Sequence, residues 1–154
     1  MTVVAKAHDK KPKETGQAVE PVAYGLLALA WFVPGLGHWV LGKKTRAVVF
    51  ASVITAGFIT GLVLGGELGV PKVENPFSWL ATFAGMGNGV LYLVRLLWLN
   101  GLGGLFSGLP LGLVGGGDPV GAGFIYGKTF LITAGLMNYL AVLDVSDIAR
   151  GVKE

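Results

Sequence analysis

Cysteine is absent from this 154-residue sequence, and charge is scarce: Asp, Glu, Lys and Arg make up 14% of it, against about 25% in an ordinary soluble domain. The first absence excludes disulfides and thiolate ligands. The second, set against 53% hydrophobic residues, excludes a water-soluble enzyme of the usual kind, because the surface would be one continuous apolar patch. Histidine is nearly absent too. His38 is the sole histidine outside the polar N-terminal stretch, so a zinc site or a haem with two histidine ligands lacks donors within one chain. No cofactor, no metal site, no catalytic residues and no nucleic-acid partner are expected.

What is present is glycine, 26 of them, and long uncharged runs. Each Asp, Lys or Arg at the centre of a bilayer-spanning helix costs roughly 2.5 to 3.5 kcal/mol, so gaps between charges mark candidate spans. Uncharged runs of 22, 20, 20, 22 and 15 residues separate Glu20 from Lys43, Arg46 from Glu67, Glu74 from Arg95, Arg95 from Asp118 and Lys128 from Asp144. About 20 apolar residues cross a hydrocarbon core of about 30 Å. Composition predicts helices over 22–41, 47–66, 76–98 and 123–143. The first contains Pro34, Gly35 and Gly37 and is expected to kink or re-enter. In the third, Arg95 is expected to reach toward headgroups, and in the fourth Lys128 does the same. Residues 99–122 carry too many glycines for a plain helix and read as a Gly-rich loop or broken hairpin. Residues 1–21 hold seven charges and no large apolar cluster, which predicts a disordered polar tail. The apolar run starts only at Val22, so the first helix is expected to be an uncleaved anchor. Lys and Arg number seven and five on alternating sides of four spans, too even to set orientation.

Gly37 to Thr45 falls one residue short of a phosphate-cradling loop, since Lys44 stands where a hydroxyl would hold magnesium and no strand precedes it. An interfacial turn is the better reading. Pro34, Gly35, Gly37 and Gly42 turn the chain, His38 and Trp39 sit at the boundary, and Lys43, Lys44 and Arg46 meet lipid phosphates. Gly57, Gly61, Gly65 and Gly69 recur every four residues and predict a helix-packing face, with Gly85 and Gly89 as a matching seam. Asn88 and Asn138 are amides within apolar segments and are expected to bond between helices, because an unpaired amide in hydrocarbon is costly. Asp144, Asp147 and Arg150 are spaced to share a charged C-terminal face, with Asp147 and Arg150 in pairing range.

Pro34-Gly35-Leu36-Gly37-His38 followed by Leu41-Gly42-Lys43 resembles the turn of a family of small uncharacterised bacterial multi-pass membrane proteins, classed only as a domain of unknown function. Gly127 to Leu131, Ala134 to Asn138, Leu143-Asp144 and Asp147 to Gly151 are similar to the same family's C-terminus, and the likeness covers about residues 21–152. The turn is also similar to that of the two-helix transmembrane domain, which usually has Phe-Tyr where Trp39-Val40 stands here. The resemblance implies a bacterial inner (cytoplasmic) membrane protein and supplies no reaction or substrate.

The expected fold is therefore all-α, a polytopic membrane protein of about four helices. The expected role is a non-catalytic accessory or structural subunit, partnered by the lipid bilayer and by other membrane subunits or itself. The rival expectation is a small transporter or channel, or a protein binding lipid or quinone near Trp39 and Lys43.

Overall fold

The structure, a computed structural model, describes residues 21–68, 73, 76–102 and 119–153. Every regular element among them is helical: α1 (Pro21–Phe32), α2 (Leu36–Val40), α3 (Lys44–Val63), α4 (Pro76–Met86), α5 (Val90–Leu97), which runs into a π turn (Trp98–Leu102), and α6 (Phe124–Ala149). The expected tail lies outside the described residues but for Pro21, as do Gly69 and most of the expected glycine-rich connection.

Two helices, α3 and α6, are long and apolar enough to cross a membrane, or three spans result if α4 and α5 count as one bent pair. At 1.5 Å per residue α3 is about 30 Å long, the thickness of a hydrocarbon core. Neither helix carries an internal proline, and valine, isoleucine and phenylalanine tolerate helix well where packing rewards them. The two pack antiparallel: Gly57 lies by Ala134, Gly61 by Leu131 and Gly127, and Arg46 by Asp144. Ile54, Phe58, Leu62, Leu68, Leu131 and Ala134 fill the core beside this seam. The outward faces stay apolar, with Val48, Val49, Val53, Ile59 and Val63 exposed on α3.

Gly65 departs from its expected place in the packing face. It has φ +74° just past the end of α3, and a side chain there would meet open space. The Gly65 N–H donates to Leu62 O and the Gly66 N–H to Gly61 O, closing the helix with the paired bonds that a left-handed glycine permits. Gly65 thus ends the helix, and the seam is made by Gly61 and Gly66 against Gly127.

The expected straight helix over 76–98 is broken. α4 and α5 are bent by 114° at Gly87, Asn88 and Gly89. Gly89 takes φ +58°, and a Cβ there would collide with the carbonyls of Trp31 and Phe32 at the end of α1. The Asn88 amide also draws off the Gly85 carbonyl at 3.0 Å, competing with the helical ladder. After the bend Tyr92 comes back over Gly85. Gly89 is therefore a turn residue, and Gly85 packs against the returning α5. The bend also carries Arg95 under cover, 3% exposed, where the sequence pointed it at headgroups. The expected first span is likewise two pieces, α1 and α2, divided at Val33–Gly35.

Candidate functional site

Among the described residues, polar side chains gather at two places on α6. The first is the end of the bundle where α2, the start of α3 and the end of α6 meet. α2 is five residues long, and Gly37 lets it lie against Ala30 and Val145, too close for a Cβ. Gly35 is pressed on Ala47 and Ala51 of α3. Held this way, His38 is fully buried, its ring centroid 4.9 Å from that of Phe50. Its Nε2 lies 3.0 Å from Asp144 Oδ2, a bond between residues 106 apart in sequence. With the proton on Nε2 the imidazole donates to the carboxylate, leaving Nδ1 buried without a hydrogen-bond partner among the described residues.

Asp144 is a hub. Lys153 Nζ donates to its other oxygen at 3.1 Å, and Arg46 Nη1 stands 3.9 Å from the oxygen that His38 uses. Lys153 also reaches Asp147 at 3.1 Å. Its hydrogen bonds to Asp144 and then Asp147 push the exposed Lys153 ammonium above the ordinary lysine pKa. Beside the hub opens a cleft of about 360 Å³ lined by Thr45, Arg46, Val49, Phe50, Asp144 and Lys153. Trp39 of α2 is half exposed, with Lys44 Nζ 5.8 Å from its ring centroid.

The second place is halfway along α6, where both broken helices end. Asn138 Nδ2 donates to Trp31 O at 2.9 Å and to Gly87 O at 2.8 Å. Asn88 Nδ2 donates to Leu131 O at 3.0 Å as well as to Gly85 O. Both asparagines are fully buried. A helix that stops leaves its last carbonyls without intrahelical donors, and these two amides supply donors where water would not reach. Backbone fits against backbone here: a Cβ on Gly87 would strike the Gly135 carbonyl, and one on Gly135 would strike that of Ala84. Tyr139 adds an O–H bond to Phe83 O at 3.0 Å and stacks on the Phe83 ring at 5.0 Å between centroids.

The residues singled out in the sequence thus fall into different groups. Pro34 to Arg46 do form one turn region, but His38 is buried against Asp144 rather than placed at the boundary. Asp147 pairs with Lys153, not with Arg150, because the chain turns at Gly151 after α6 and brings Lys153 back. Lys153 was not singled out in the sequence, and neither was the contact between His38 and Asp144. A charge just beyond a helix end is the one local sign of the first, and nothing local signals the second. Gly87 and Gly135, closer to neighbouring backbone than Gly61 is, stand outside the four-residue period that drew attention to Gly57 and Gly61.

A fold that is all-helical among the described residues, with two or three helices able to cross a membrane, interrupted helices packed beside them and a buried polar core, is a membrane protein by architecture. The chain belongs to a family of unknown function, DUF6677, whose model matches residues 25–154. No curated protein and no solved structure matches it.

Proposed function

We propose that this protein is a non-catalytic accessory or structural subunit of a bacterial inner-membrane complex, a multi-pass protein with four membrane passes and a glycine-rich connection over 99–122. The observation that supports this reading is how the buried amides are spent. Asn138 gives its hydrogen bonds to the carbonyls of Trp31 and Gly87, where two broken helices stop, and Asn88 ties Gly85 of a broken helix to Leu131 of α6, which is the work of holding a fold together. The glycine faces serve the same end, letting helices approach to backbone distance. Partners then take the outward apolar faces of α3 and α6. Tagging the protein, extracting native membranes in mild detergent and identifying bound proteins by native mass spectrometry tests this. A stoichiometric membrane-protein partner is expected; a chain that runs alone under every gentle extraction overturns the reading.

A small transporter or channel is the second reading, favoured by one observation: two interrupted helices meet at the middle of a candidate span, an arrangement that substrate sites of transporters also use. Flux of ions or small solutes into proteoliposomes, lost in Asn138→Leu, would establish it in place of the first.

A further inference from the structure

We propose that the cleft between α3 and the C-terminal segment binds the phosphodiester headgroup of an anionic phospholipid, an assignment that goes beyond the subunit reading and does not depend on it. The lining places two cations, Arg46 and Lys153, around one carboxylate, Asp144; Lys153 also reaches Asp147 at 3.1 Å, so Arg46 is the cation with most donors to spare. That carboxylate is already engaged: His38 holds Oδ2 at 3.0 Å and Lys153 holds Oδ1 at 3.1 Å. Arg46 is left at 3.9 Å from Oδ2, a loose ion pair, and a guanidinium has five N–H donors in a planar fork suited to phosphate oxygens. Its side chain is 46% exposed and keeps most of those donors for something else. Thr45 lines the same cleft.

The apolar part of the cleft argues for a lipid over a free anion. Val49 lines the cleft and is half exposed, and Val53, one turn further along α3, continues the same exposed stripe toward the middle of the candidate span. An acyl chain leaving a headgroup at Arg46 would lie along that stripe. Trp39, with Lys44 over its ring, marks this end of the bundle as the kind of surface that meets the headgroup layer. Basic pockets between membrane helices are a recurrent way of holding anionic headgroups.

The test is native mass spectrometry of the full-length protein in detergent, with dioleoylphosphatidylglycerol or dioleoylphosphatidylcholine added, and with glycerol 3-phosphate as a competitor lacking chains. Phosphatidylglycerol is expected to stay bound in preference to phosphatidylcholine. Arg46→Gln and Lys153→Gln, both at exposed side chains, are each expected to weaken its retention by about fivefold, the effect of one cation near an anionic headgroup. Arg150→Gln, whose cation is exposed at the end of α6 and does not line the cleft, is expected to leave retention unchanged. Equal retention of both lipids, or an equal loss in Arg150→Gln, overturns the proposal by showing general surface charge. Displacement of the lipid by glycerol 3-phosphate at matched concentration overturns the assignment to a lipid. Should Arg46→Gln fail to fold, Lys153→Gln decides alone, since its side chain is exposed and its ion pairs join only the last segment to the end of α6.

Discussion

The two polar clusters of this protein solve one problem in opposite ways. Halfway along α6, Asn88 and Asn138 tie down broken helices with neutral hydrogen bonds in a place the protein covers completely. At the end of α6, Asp144 ties down α2, α3 and the C-terminal segment with charged groups, three of them partly open to solvent. A neutral amide can satisfy a carbonyl in a dry interior without the desolvation that a buried charge would suffer. A carboxylate gathers several donors at once but needs some water nearby to be tolerable. The difference teaches that depth decides the chemistry: amides and glycine where water is excluded, ion pairs where it is not. The first cluster should therefore ignore salt and pH, and the second should respond to both.

The largest effect that sharpens this contrast is expected from Gly135→Leu. Its side chain would be driven into the Ala84 backbone, which has no rotamer to yield, and overpacking of about 3 kcal/mol or more should leave little folded protein on fluorescence-detected size exclusion. Gly57→Ala is the control, since its Cβ would make ordinary contact with Ala134 at 3.5 Å, and it should fold normally. Next comes Asn138→Leu, which strands the carbonyls of Trp31 and Gly87. A loss of about 2 kcal/mol is expected, the same at high and low salt, read as a fall in the thermal midpoint in detergent. A salt-dependent loss there would break the distinction.

Asp144→Asn is expected to destabilise less, by about 1 to 2 kcal/mol, and its effect should shrink as salt rises. His38→Gln should share part of that loss, because it removes the same bond from the other side. The smallest effect belongs to Lys153. Its pKa is raised in the fold, so its tether is complete at neutral pH and is lost as pH climbs through that raised value. Limited proteolysis should show the segment after Ala149 becoming cleavable above the ordinary lysine range, with no change in the core. Cleavage that sets in at neutral pH would show that the tether does not hold.

Not all of this was legible in the sequence. The all-helical class and the two long helices α3 and α6 follow from uncharged runs without proline, because in such runs local composition and burial agree. The break at Pro34 and Gly35 is legible for the same reason, as proline and glycine speak for themselves. The break at Gly87 to Gly89 is not. A few glycines in an apolar run read as a smooth helix, and what bends this one is tertiary: the carbonyls at the end of α1 and the bonds to α6. The asparagines announce themselves by the cost of an unpaired amide, but which carbonyls they take depends on where the broken helices stop. The pairing of His38 with Asp144 spans 106 residues and has no period to betray it. Glycine spacing was a partial guide, marking Gly57 and Gly61 on the α6 side while assigning Gly65 and Gly89 to packing when each serves a turn.

The reach of Asn138 has a consequence in time. Its partner carbonyl on Trp31 is made 107 residues before it, and the one on Gly87 is made 51 residues before it. During synthesis the early pieces of the chain therefore wait with exposed backbone acceptors until the middle of α6 has left the ribosome. The ends of α1 and α4 have to be sheltered elsewhere in that interval, at the bilayer surface or beside the insertion machinery. The arrival of α6 is then the event that commits the whole molecule, so assembly is expected to be late and abrupt rather than helix by helix.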